Sequence, residues 1–120
     1  MSSVPERSRH LRRVDDIIGA LNRIEDFIGR TSKPAFLADE ILISAVTYQL
    51  FIVGEAARHL APGLEERHPS IPWREMRGMR NIIAHEYGAV DSGAVWDVTT
   101  NDLAPLRLAM MAERDFLTSC

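Results

Sequence analysis

The run Arg80-Asn81-Ile82-Ile83-Ala84-His85-Glu86-Tyr87 sets a guanidinium, an amide, an imidazole and a phenol within eight residues. Arg74 and Arg77 come just before it, and Glu75 is the one acidic residue among these arginines. Arginine is always charged and grips phosphate through a planar fork. It can also stabilise charge that develops on a phosphoryl oxygen. Histidine titrates near neutrality and can accept or donate a proton. Together these groups suit activation of a ribose 2′-hydroxyl against the adjacent phosphate. The sequence offers no carboxylate cluster for two metals, no zinc-like Cys/His spacing and no Gly-rich phosphate loop opening a helix. Metal-free acid–base cleavage of RNA, without a cofactor, is therefore the phosphoryl chemistry these residues support best.

Such residues must be held by an element, and the spacing makes that element a helix. At about 100° per residue, Met76, Met79 and Ile83 share one side of a helix over 73–85, and that side should face a core. Arg74, Arg77, Asn81 and His85 share another side. Arg80 and Tyr87 lie at the border of the two. Arg80 and His85, five residues apart, stand about 140° apart on an ideal helix. Two arrangements would aim both at one phosphate. Either the helix unwinds near Ala84, or a two-fold axis completes the site across a dimer, which is the expectation here. On spacing alone a structural role competes: Arg80 as a surface ion-pair residue, His85 as a cation at a helix C-terminus and Tyr87 as an aromatic at the core edge.

Helical periodicity continues through the rest of the chain. A first helix is expected over about 6–29, where Leu11, Val14, Ile17, Ile18, Leu21, Ile24, Phe27 and Ile28 form one apolar stripe. A second, over about 36–60, is apolar around most of its circumference from Ile41 to Val53, as a central helix would be. Its small residues Gly54, Ala56 and Ala57 permit close approach of another helix. Glu55 is the odd charge there. It is either a solvated helix end or a carboxylate that orients a catalytic arginine. Ala61-Pro62-Gly63 breaks this helix. His68-Pro69-Ser70-Ile71-Pro72 forms a connector, with Ser70 as the expected N-cap of the helix over 73–85. A short segment over 92–101 leads to a last helix over about 102–117. The expected architecture is all-α, one domain over 1–120, a four- to five-helix bundle with short loops.

Composition sets outer limits. A chain of 120 residues, 46% hydrophobic and 26% charged, fits one soluble globular domain. The net charge of −3 argues against a surface coated for nucleic acid, but not against a local anion site. The stretch Ile41–Gly54 reads as a buried helix too short to cross a membrane. The single cysteine, Cys120, points to a reducing, cytoplasmic setting. His10, His59 and His68 have no partner residues at ligand spacing and read as surface residues. Trp73 and Trp96 read as core or interface anchors.

The segment from Ile71-Pro72-Trp73 through Arg80-Asn81-Ile82-Ile83-Ala84-His85-Glu86-Tyr87 resembles the HepT-like branch of the HEPN superfamily, marked by Arg, four to six residues, His, any residue, Tyr. Gly54-Glu55-Ala56-Ala57-Arg58, and Val95-Trp96-Asp97 followed by Asp102-Leu103, resemble that family as well. The resemblance runs from about Leu11 to Leu117. It implies an all-α homodimer with a metal-independent endoribonuclease site at the dimer interface. Arg80 and His85 match the catalytic pair. Asn81 sits where a polar residue commonly follows the arginine. Tyr87 matches the tyrosine that a cognate MNT-type minimal nucleotidyltransferase, the antitoxin, modifies with AMP. The wheel adds Arg74 and Arg77 as an RNA-facing patch. The competing function is a non-catalytic helical module that binds the nucleotidyltransferase or a nucleotide. A purely structural helical dimer is the third reading.

Overall fold

The computed structural model describes residues 4–119, with side chains from residue 6 onward. Cys120 lies outside the described residues. Seven helices and no strand occur among them: α1 (Val4–Ile28), α2 (Lys33–Leu37), α3 (Glu40–Leu60), α4 (Gly63–Arg67), α5 (Trp73–His85), α6 (Ser92–Asn101) and α7 (Leu103–Thr118). Five of these are the expected bundle helices. The other two, α2 and α4, have five residues each.

Helix α3 is central, packing on α1, α5, α6 and the short α2 and α4. The apolar stripe of α1 is the reason α1 docks: Val14, Ile17, Leu21 and Ile24 are all buried. Burying side chains of this size contributes about 1.5–3 kcal/mol each. Val14, Ile17 and Leu21 meet Val53, Ala56 and Ala57 of α3 and Leu106 and Met110 of α7 in one cluster. A second cluster gathers Ile24, Phe36, Val46, Leu50, Ile83 and Val95, and joins α1, α2, α3, α5 and α6. Trp96 packs on Phe36 with ring centroids 5.2 Å apart. The Trp73 indole donates to the His68 carbonyl at 2.7 Å and is buried, so both tryptophans anchor the core.

Three expectations about local structure are corrected. The helix expected over 36–60 is two helices, because Asp39 caps α3: its carboxylate accepts from the Leu42 N–H at 3.0 Å. A short acceptor of this kind favours a new helix start over continuation. Helix α3 alone has 21 residues and is apolar enough, by length and composition, to cross a membrane. Ser70 does not cap α5; Pro72 occupies that position, with no side-chain cap. Pro105 falls in the first turn of α7, where a missing N–H costs the helix nothing.

Candidate functional site

Helices α3 and α5 touch most closely at Gly54. A Cβ built there would lie 2.7 Å from the Arg80 Cβ and 3.0 Å from its Cγ. Only glycine fits at that distance, and it lets the Arg80 stem lie flat on α3. The guanidinium then reaches the next residue along. Arg80 donates to Glu55 Oε1 through Nε at 2.9 Å and through Nη2 at 2.7 Å. Its Nη1 donates to Asn81 Oδ1 at 3.1 Å. Its ring-facing side sits 5.4 Å from the centroid of Phe51, a cation–π distance. The Arg80 side chain is only 17% exposed. Three of the five N–H donors of a guanidinium are therefore committed, and two remain for an incoming phosphate oxygen.

Glu55 is the hub of this arrangement. Its Oε2 accepts from Arg58 Nη2 at 3.0 Å and faces His59 Nε2 at 3.4 Å. The Arg58 hydrogen bond and then those from Arg80 hold its carboxyl at about 2, well below the ordinary carboxylate range. The geometry thus bonds Glu55 on α3 to Arg80 on α5. His59 is correspondingly a partnered residue. So is His68, whose Nε2 lies 2.7 Å from Glu113 Oε2. His59 is exposed, as a surface residue should be, whereas His68 is half-buried against Glu113.

Helix α5 stays helical to His85, and the Glu86 N–H closes the last turn on the Ile82 carbonyl at 2.8 Å. The helix therefore does not unwind near Ala84. Among the described residues no hydrogen bond joins His85 to Arg80, Asn81 or Glu55, and His85 is exposed. The chain brings together Arg80, Asn81 and Glu55, and leaves His85 exposed in the final turn of α5.

Tyr87 opens a 3-10 turn, Tyr87–Ala89, and is 53% exposed. It lines a groove of about 350 Å³ with Ser44, Tyr48, Phe51, Ile83 and Ala84. Arg74 is exposed and makes no hydrogen bond among the described residues. Arg77 is also exposed but is paired with Glu65 on the neighbouring α4 segment. A small apolar pocket of about 90 Å³ bordered by Met76, Met79 and Leu103 contains none of the arginine–histidine chemistry.

At the far end of the bundle, Glu113 of α7 is buried and takes two hydrogen bonds from Arg67, at 2.9 and 2.8 Å, besides His68. The Arg67 bonds, followed by the His68 bond, lower its pKa against the opposing effect of burial. This cluster fixes α4 and the connector to α7. Sequence reading missed Phe51, Tyr48, Arg58 and Glu113. The i, i+3 spacing of Glu55 and Arg58 was the one local sign available.

A family model described as "Ribonuclease HepT-like" matches residues 17–112. A Thermococcus cleftensis protein named "Probable ribonuclease HepT" is 35% identical over 98 residues, covering 82% of this chain and 89% of its own. A Methanocaldococcus jannaschii protein named as a "putative RNase" is 30% identical over 92 residues, covering 77% of this chain and 84% of its own. No solved structure matches.

Proposed function

The chain belongs to the HepT-like ribonuclease family, and from that premise we propose that it is the toxin of a toxin–antitoxin pair, a homodimeric endoribonuclease that cuts RNA without a resident metal. The observation that carries this reading is Arg80 itself. It is held by Glu55, Asn81 and Phe51 in one orientation, with two N–H donors still free. A fixed, partly desolvated guanidinium costs little reorganisation when charge develops on a phosphate.

The intact α5 supports a composite site. Since one helix cannot aim Arg80 and His85 at the same phosphate, a second copy related by a two-fold axis supplies the complement. Ile41, 84% exposed near the start of α3, is an apolar residue suited to such pairing. In the composite cleft one imidazole takes the proton of the ribose 2′-hydroxyl as its oxygen attacks phosphorus. The bond to the 5′-oxygen breaks, and that imidazole, now an imidazolium, protonates the leaving oxygen. The arginines hold the non-bridging oxygens throughout. The products are a 2′,3′-cyclic phosphate and a free 5′-hydroxyl, with no metal step. Arg74 and Arg77 extend the cationic surface toward the RNA chain.

Tyr87 fits the proposed control. Its hydroxyl group is carried on a half-exposed ring next to the last turn of α5. AMP transferred there by a minimal nucleotidyltransferase partner adds bulk and negative charge and repels RNA. The deciding experiment is RNA cleavage in EDTA by protein expressed without that partner, with Tyr87 shown to be unmodified by intact mass. Wild type is expected to cut and His85→Ala to be inert while remaining a dimer. If both are inert, with Tyr87 bare and the dimer intact, the chain is instead a binding module for the nucleotidyltransferase.

A further inference from the structure

The groove beside Arg80 has two features that a packing defect would not combine. Its walls are apolar and aromatic: Tyr48 and Phe51 on α3, and Ile83, Ala84 and Tyr87 on α5 and the turn that follows. Tyr48 is 61% exposed and Tyr87 53%, so two phenol rings stand half free at its sides. Its other feature is a charged neighbour. Phe51 lines the groove and also carries the Arg80 guanidinium over its ring, 5.4 Å from the centroid. An apolar slot between aromatic rings, one ring away from a cation with spare N–H donors, is complementary to a nucleotide: a flat base joined to a phosphate.

We propose that this groove is a nucleobase subsite, which takes the base adjoining the phosphate held by Arg80. The proposal deepens the ribonuclease reading and rests on it for the identity of the ligand as RNA. Stacking on aromatic rings is tolerant of sequence because every base has a π-face. The Ser44 hydroxyl is the one further polar side chain in the lining, and it can bond a base edge. A second copy of the chain is the competing occupant. Ile41, two turns nearer the start of α3 and more exposed than either tyrosine, is the better anchor for that copy. The subsite also gives Tyr87 a second consequence. An AMP attached to Tyr87 is tethered at the rim of the groove, so its adenine competes with the substrate base for the same slot.

The test uses full-length protein with unmodified Tyr87 and a 2′-O-methyl trinucleotide, which lacks the attacking hydroxyl. A matched set carries an abasic residue at each position in turn. Binding is measured by titration calorimetry, and the dimer by sedimentation. Tyr48→Ala is expected to weaken binding of the full trinucleotide about tenfold, and Tyr48→Phe to change it less than about twofold, since the ring is kept. Ala84→Trp, which fills the groove, should reproduce the loss. At one abasic position wild type and Tyr48→Ala should bind equally. The proposal is overturned if Tyr48→Ala binds like wild type, or if its defect persists at every abasic position. It is also overturned if Tyr48→Ala dissociates the dimer, since the groove is then a contact between copies. Tyr48-dependent binding by a wild type that cuts no RNA would sink the ribonuclease reading and leave the subsite standing.

Discussion

Glu55 gathers Arg58, His59 and Arg80 about one carboxylate, and Arg80 is the one we propose for phosphate. Replacing it by Gln keeps the shape but halves the acceptor strength offered to Arg80 and removes the charge. Glu55→Gln should lower the cleavage rate on the order of 10- to 100-fold, as expected when a catalytic group loses its orienting partner. Dimerisation and fold should survive, which circular dichroism and sedimentation will check. Because the Glu55 carboxyl is depressed to about 2, any stability it contributes is complete above the ordinary carboxylate range and is lost only as pH falls toward 2. An acid limb in the pH–rate profile near neutrality therefore does not come from Glu55, and Glu55→Gln should leave its midpoint in place. At this scale the sequence showed the chemistry but not its support. Arg80, Asn81 and His85 are legible as types and spacing. The Glu55–Arg80 bond joins residues 25 apart in sequence, and no local pattern encodes it. Phe51 looked like core because its periodicity is that of a buried helix, and Glu113 was hidden in the same way.

Helices were more readable than contacts between them. Apolar stripes marked α1 and α5, and the nearly continuous apolar run marked α3 as central, because burial pattern is a local property of the chain. The break at Asp39 was missed, since the apolar run masked a cap whose acceptor reaches only three residues ahead. The small residues at 54, 56 and 57 predicted close approach, and the α3–α5 contact at Gly54 is that approach. Gly54→Ala puts a methyl group 2.7 Å from the Arg80 Cβ, so α5 must move away from α3. Overpacking of this kind costs about 1–3 kcal/mol. The shift should also carry Arg80 off Glu55, so cleavage should fall further than stability does. Urea unfolding beside single-turnover cleavage will separate the two effects.

The whole molecule measures about 50 × 28 × 24 Å and bears a net charge of −3. The RNA contact we propose must therefore be local, and the proposed composite cleft would concentrate the arginines of two copies in one place. That geometry makes a direct prediction. Arg80→Ala and His85→Ala homodimers should each be inert, yet subunit exchange between them should restore cleavage in the mixed dimers, which hold one arginine and one histidine in the shared cleft. Activity measured before and after mixing checks this, and no recovery in demonstrated mixed dimers would sink the shared cleft. Gly54 carries a consequence of another kind, for the gene. Every other amino acid has a Cβ, so any missense change in that codon inserts atoms between α3 and α5. If the unopposed protein stops growth, surviving cells should accumulate replacements at residue 54 as readily as at 80 or 85. Those survivors would still make a helical protein that the partner chain can recognise.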